Sequence, residues 1–450
     1  MIPILTPDEM AAVDAAAPEP VEVLIERAGA AVAHHALMML GGAYGRRVVV
    51  LAGKGNNGAD GRAAARRLRR RGVRVDEIDA EAAPGTLPTA DLVIDAAYGT
   101  GFRGDHEAPD SAGAPVLAVD IPSGIDGTTG EERGRALTAR VTVTFAALKP
   151  GLVLEPGRSR AGRVVVADIG LDVGSPAAGL VEAADVAGWL PARPSTAHKW
   201  SAALLAVAGS PGMTGAGHLA AAAAKRAGAG MVRLGAPGVD DDPARPTEAV
   251  GLELPSVGWA EAVLDVLPRF DALAIGPGLG IAPLTQAAVL DVLAGSDRPA
   301  VVDGDGLTAL GRDVERLATR GAPTVLTPHD GEYERLAGHR PGSDRFAAAR
   351  ELAAHAGAIV LLKGPTTVIA TPDGRIRVVA AGDARLATAG TGDVLTGTIG
   401  ALLARGLDAF DAAAAGAWLH ARAGAAVPIE GLVASDLVEA LPRAVAELAP

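Results

Sequence analysis

The sequence predicts an α/β protein in which helices cover mainly parallel sheets, divided into two domains. Short β-branched runs alternate with Ala/Leu/Arg stretches of helical length. The 450 residues exceed the ~100–200 usual for one domain. The alternation then lapses over residues 170–200, where GLDVGSP and WLPARPSTAHKW bring prolines at 176, 191 and 194. The boundary is expected near 185, giving domains of 1–185 and 186–450.

In the first domain the predicted strands are 47–51, 73–78, 92–95, 116–120, 141–145 and 164–167. Several end in Gly, Asp or Asn, where open α/β sheets place their ligands. In the second they are 204–208, 231–234, 272–275, 300–303, 324–326, 359–362, 367–370 and 376–379, with helices near 216–227, 283–294, 344–356, 393–404 and 409–423. The two halves carry different motifs, so they do not form an internal repeat.

Hydrophobic residues make up 49% of the chain, yet Trp, Tyr and Phe number only 4, 3 and 5, so alanine and aliphatic side chains must fill the core. That suits small-residue helices packed closely on sheets. A net charge of −12 opposes attraction to a polyanion, so nucleic acid is not an expected partner. Zero cysteines exclude disulfides, thiolate metal sites and a Cys nucleophile. The start, MIPILTPDEM, does not read as a signal peptide, and no uninterrupted apolar stretch reaches the ~18–20 residues of a membrane span. A soluble cytoplasmic protein is expected, with small-molecule partners and no membrane; the composition permits a homo-oligomer.

The run VVVLAGKGNNGADG, residues 48–61, is a strand, a Gly/Asn-rich turn and a helix start. Such a turn lets backbone N–H groups approach a phosphate or ribose, although a plain βα turn has similar composition. Three further strand ends repeat the theme, at Asp95, Asp120 and Lys149. The carboxylate of Asp95, the amide oxygen of Asn57 and the hydroxyl of Ser123 suit a hard cation, leaving Asp120 to exchange protons with substrate. Singly, each residue is more often a cap or turn former. Arg66, Arg67, Arg69, Arg70 and Arg71 read as a solvated helix face, with a 2′-phosphate contact as the minority reading. His34 and His35 receive no chemistry.

Taken together, GNNGADG, DAAYGTGFRG, VDIPSGIDG and TFAALKPGL resemble the NAD(P)H-hydrate epimerase family over about residues 1–170. The resemblance implies a Rossmann-like three-layer domain that interconverts the R and S hydrates of NADH and NADPH with a bound potassium ion (K+). It implies that Asn57, Asp95 and Ser123 hold potassium. The hydrate would meet Asn56, Asn57, Gly58, Ala59 and Asp60, then Gly99, Thr100, Gly101, Phe102, Arg103, Gly104 and Asp105, and finally Asp120. Asp120 is the candidate acid/base for loss and return of the C6 hydroxyl; Lys149 is open between a phosphate contact and loop support.

The stretch LATAGTGDVLTGTIGALLARG, residues 386–406, is the most specific feature of the chain. Gly390, Thr391 and Gly392 can present N–H groups to a phosphate at the start of an apolar helix, with Asp393 in its first turn. A carboxylate there can deprotonate a hydroxyl as it meets a phosphoryl group; a dipole-favoured Asp at a helix start is the bland alternative. The Lys363-Gly364 turn offers a cation and flexible backbone. His329 is open between substrate contact and a loop hydrogen bond, and Asp303 and Asp305 between positioning magnesium (Mg2+) through water and capping a helix.

These segments, with GSPGMTGA, GPGLG and TPHDGE, resemble the ADP/ATP-dependent NAD(P)H-hydrate dehydratase family over about residues 190–450. The resemblance implies a ribokinase-like fold and the use of ADP, or ATP, to remove water from the S hydrate; with ADP the products are NAD(P)H, AMP and phosphate. By position, Ala216, Gly280, His329 and Asp393 would contact the hydrate. Lys363, Gly364, Pro365, Thr366, Thr367 and Gly392 would contact the nucleotide, and Asp393 would be the catalytic base. Two segments depart from the family's pattern: DGDGL replaces Asp-Ala-Asp-Ala-Leu, and Asp383 stands where the family has an Asn-containing turn.

The leading expectation is therefore a repair enzyme whose first domain epimerises R to S hydrate and whose second dehydrates S. The alternatives are a ribokinase-like small-molecule kinase and, from another class, an N-terminal half that only binds ligand or acts as a scaffold.

Overall fold

The computed structural model describes residues 1–448 and contains two compact units, Ile2–Ala178 and a second running from Gly179. The division falls a few residues ahead of 185, because helix Ala183–Trp189 packs on helix Ala409–Ala425 of the second unit.

In the first unit, strands Arg47–Ala52 (β1), Arg74–Asp79 (β2), Leu92–Ala96 (β3), Val116–Val119 (β4), Val141–Phe145 (β5) and Arg163–Ala167 (β6) form one parallel sheet. Its order is β2-β1-β3-β4-β5-β6. Alternate residues enter different cores: Val48, Val50, Ile94 and Leu117 meet helices Val21–Leu40 and Asn56–Arg70, while Val49, Val93 and Ala118 pack with Leu87 and Ala139. Two buried faces explain why the strands read as continuous apolar runs rather than alternating ones.

Helix Val21–Leu40 is long and apolar enough to cross a membrane by length and composition. Its Leu24, Ala28, Val32, Ala36 and Leu40 are instead buried in this core. A Cβ on Gly29 would stand 2.4 Å from the Cβ of Ala63, so the glycine permits a close helix crossing. Arg66 and Arg67 reach Glu26 at 2.6 and 3.0 Å, and Arg69 pairs with Glu77. These three arginines are engaged with the unit's own carboxylates.

In the second unit, strands Ala203–Val207 (β7), Met231–Gly235 (β8), Ala249–Leu252 (β9), Ala272–Ile275 (β10), Ala300–Val302 (β11), Thr324–Leu326 (β12), Ile359–Leu362 (β13), Thr367–Ala370 (β14) and Ile376–Val379 (β15) run in the order β9-β8-β7-β10-β11-β12-β13-β14-β15. Pairing is parallel from β9 to β13, and β14 and β15 are antiparallel additions. Helices Thr214–Arg226, Thr391–Ala404, Ala409–Ala425 and Ala434–Ala446 share one alanine-rich core on the sheet. A Cβ on Gly397 would lie 2.0 Å from the carbonyl oxygen of Ala220, which is the close small-residue packing that the composition predicts.

Candidate active sites

A cavity of about 740 Å³ opens in the first unit. Asn56, Asn57 and Asp60 from the first turns of helix Asn56–Arg70, the loop Gly99–Arg103, Asp120 and Lys149 all line it. Its volume falls within the ~300–1,000 Å³ of small-molecule sites. Gly58 is absent from the wall but required beneath it: a Cβ there would meet the Gly53 carbonyl oxygen at 1.9 Å. Ala59, Gly104 and Asp105 also lie off the wall. Tyr98, Phe102 and His106 stack with centroids 4.4 to 6.4 Å apart and brace the loop between them.

Asp120 follows β4 with φ of +65°, a left-handed conformation that non-glycine residues rarely take and that functional sites often hold. Its Oδ1 accepts from Lys149 Nζ at 2.6 Å and from Thr144 Oγ1 at 3.0 Å. Lys149 is 1% exposed and also donates to Thr144 Oγ1 and the Phe145 carbonyl oxygen. Those three bonds use all of its donors. Lys149 thus serves Asp120, leaving no donor for a phosphate.

Asp95 and Ser123 lie buried behind this wall. Ser123 donates its hydroxyl to Asp95 Oδ1 at 2.6 Å and its N–H to Oδ2 at 2.9 Å. Burial nevertheless pushes the Asp95 carboxyl up, against the lowering effect of these bonds. Both amide atoms of Asn57 are buried without a hydrogen-bond partner. An orphaned amide beside a cavity and a buried carboxylate short of positive charge suit a weakly hydrated cation.

The second unit builds its site around Asp303, at the end of β11. Lys363, after β13, donates Nζ to Asp303 Oδ1 at 2.9 Å, and Thr396 donates its hydroxyl to Oδ2 at 2.7 Å. Burial works to raise Asp303, but Lys363 and the hydroxyl bonds outweigh it and hold the carboxyl below its ordinary value. Gly392 stands directly over this pair: its Cβ would be 3.6 Å from Asp303 Oδ2 and 3.7 Å from Lys363 Nζ. Asp393, next along the same helix turn, is raised to about 6 by burial, then by the charge of Asp303, with Lys363 opposing.

Other expected contacts gather on either side. Gly280 donates its N–H to Asp305 Oδ2 at 2.8 Å, and a Cβ on Gly278 would stand 2.9 Å from that of Ala216. His329 caps helix Asp330–Ala337, its Nδ1 accepting from the Gly331 and Glu332 N–H groups. The loop hydrogen bond is therefore made, while the ring stays 57% exposed and Glu332 reaches Lys363 at 3.6 Å. Gly364, Pro365 and Thr367 share a cleft of about 40 Å³ with Asp383 and His420; Thr366 is buried beside them. Asp383 caps the turn Ala384–Leu386, accepting from the Arg385 N–H, with the Arg385 guanidinium 3.6 Å away.

Several contributors escape sequence reasoning. Asp14, in helix Pro7–Ala15, lines the first cavity with no motif around it. Arg345 braces the Lys363 carbonyl at 2.7 Å. His420 contacts the Thr391 carbonyl oxygen at 2.8 Å through Nε2, and burial lowers it to about 4. The Asp303 carboxylate is engaged at both oxygens, and no cluster of three or more His, Asp or Glu suited to a metal occurs among the described residues.

With this geometry in hand, comparison with known proteins is informative. A family model described as NAD(P)H-hydrate dehydratase matches residues 204–443, and one described as YjeF-related protein N-terminus matches 21–82 and 76–151. The chain is 38% identical to the bifunctional NAD(P)H-hydrate repair enzyme Nnr of Moorella thermoacetica, over 88% of this chain and 87% of that one. It is 41% identical to that of Mycobacterium tuberculosis, over 83% and 82%. Among solved structures, the Bacillus subtilis ADP/ATP-dependent NAD(P)H-hydrate dehydratase co-crystallised with ATP/Mg2+ matches with a TM-score of 0.52 and 33% identity, covering 59% of this chain and 96% of that one. A ribokinase-like protein of Enterococcus faecalis, at 23% identity and a TM-score of 0.54, supports the same fold.

Proposed function

The chain belongs to the family of bifunctional NAD(P)H-hydrate repair enzymes, and on that premise we propose which residues carry out each half of the repair. The first unit converts the R hydrate to S; the second dehydrates S to NAD(P)H at the expense of a nucleotide. Pairing them is chemically sensible, because a chiral pocket dehydrates one epimer and the other must be brought to it.

In the first unit Asp120 is the carboxylate that exchanges a proton with the C6 hydroxyl, held in place by its ion pair with the Lys149 ammonium. Asn57, Asp95 and Ser123 would hold potassium, a reading supported by the orphaned Asn57 amide. Potassium held there would supply a fixed positive charge to the site.

In the second unit Asp393 takes the proton of the S-hydrate hydroxyl as that oxygen meets the terminal phosphoryl group. Lys363 and the N–H of Gly392 face the phosphates, and ADP is the nucleotide expected. Phosphate then departs from C6, driven by the nitrogen lone pair of the ring, and loss of a C5 proton to the departing phosphate forms the C5–C6 double bond and restores the dihydronicotinamide. Magnesium would arrive on the nucleotide phosphates, since no step here needs a protein-held ion.

One observation carries this reading: Gly392 lies within van der Waals reach of Lys363 Nζ, next to a carboxyl raised to about 6. The test is purified protein with mixed NADH hydrates and ADP or ATP, following the near-ultraviolet nicotinamide band. Recovery of both epimers is expected; no recovery with either nucleotide rejects the assignment. Asp120→Asn should block consumption of the R hydrate beyond its spontaneous rate and spare that of the S hydrate.

A further inference from the structure

We propose that Asp60 is a second acid/base residue of the epimerisation, a neutral carboxyl that protonates the departing C6 hydroxyl while Asp120 accepts a proton from the returning water. The inference rests on the epimerase reading above and adds a role to a residue so far assigned only to binding.

The case begins with an unpartnered group. Asp60 is 8% exposed, lines the cavity, and makes no hydrogen bond or ion pair among the described residues. Most buried carboxyl groups are hydrogen-bonded or paired, so one left bare on a cavity wall is held for a ligand.

Charge counting points the same way. Asp14, Asp60 and Asp120 all face this cavity, and Lys149 is the buried cation among them. The three Lys149 donors are committed to Asp120, Thr144 and Phe145. Asp8, Glu19 and Arg103 complete the charged lining. Three carboxylates around one spent ammonium repel one another, and of the two without a donor, Asp14 and Asp60, the buried Asp60 most readily keeps its proton. Burial, then the charges of Asp120 and Asp14, raise Asp60 to about 8. Asp14 is also raised by burial, but Lys149 offsets part of the effect.

Two carboxyl groups in different protonation states are what the reaction consumes. The C6–O bond breaks as the ring nitrogen lone pair forms a C6–N1 double bond, and the Asp60 proton leaves with the hydroxyl as water. A water molecule then adds to the other face of C6. The π pair returns to nitrogen, and the proton lost by the added oxygen passes to Asp120. Transfer of one proton between the two carboxyl groups through water resets the site. No oxidant or reductant is needed.

The test uses the full chain and purified R hydrate, with the two epimers separated chromatographically over time. Asp60→Asn keeps shape and hydrogen bonding but cannot give up a proton. Its kcat for epimerisation should fall by about 100-fold or more, the typical range for a general acid, with KM within about threefold. The wild-type kcat should fall as pH rises through about 8, and the residual activity of Asp60→Asn should lose that limb. A kcat within a few fold of wild type, or a loss confined to KM, overturns the proposal. Should the variant fail to fold, judged by its melting transition and its turnover of S hydrate, the wild-type profile decides, and a flat rate from pH 7 to 9 overturns it. A wild-type protein that does not interconvert the hydrates at all would instead reject the epimerase reading.

Discussion

Each unit of this chain sets a lysine among carboxylates, but the two bind it to different members of the set. In the first, Lys149 holds the reacting Asp120 itself, at 2.6 Å. In the second, Lys363 holds Asp303 at 2.9 Å and leaves Asp393, one residue beyond the overlying Gly392, without a direct cation. The first arrangement clamps its reacting carboxylate in a direct ion pair. The second lets burial and the Asp303 charge lift Asp393 to about 6, so that it is ionised at neutral pH and basic enough to take a proton. Where the lysine points decides what the neighbouring carboxyl can do.

Removing the cation should expose this difference most strongly. In Lys363→Met, Asp303 is left buried with its charge uncompensated, and breaking such a pair costs about 3–5 kcal/mol. Chemical denaturation should show that loss in the second unit's transition. Lys149→Met should cost less, because Asp120 remains 15% exposed and keeps the Thr144 hydroxyl. Equal losses would mean that both lysines are merely structural.

Next in size is the pH response. A base must be deprotonated, so dehydration of purified S hydrate should rise with pH through about 6 and level off above it. In initial-rate measurements from pH 5 to 8, a rate that falls over this range would contradict Asp393 as the base. The smallest effect is expected at Asp383, which caps a turn through an oxygen that asparagine also carries. Asp383→Asn should change stability by less than about 0.5 kcal/mol and nucleotide KM by less than about threefold, read by melting and steady-state kinetics. A large gain in affinity would place that carboxylate against the phosphates.

Much of this was legible in the sequence because it is local. Apolar runs ending in Gly or Asp gave the parallel strands, and GTGD gave the glycine-capped helix that carries Asp393. β9, Ala249–Leu252, was missed because Gly251 and its flanks leave no apolar alternation to read. The cation set was assembled from strand ends, and Asn57 does lie orphaned near the cavity. Asp14 and His420 could not be foreseen, since each stands on an ordinary helix and is brought to its site by tertiary packing. The same holds for Asp303. Its sequence neighbours suggest a cap or a metal ligand, and only Lys363, sixty positions away, makes it a counter-ion.

The most direct test of the whole account is single-turnover dehydration by Asp393→Asn. The variant should bind ADP as the wild type does, while the rate with S hydrate falls by about 100-fold to 10,000-fold and R-to-S conversion continues. Unimpaired formation of NADH, AMP and phosphate by that variant would contradict it.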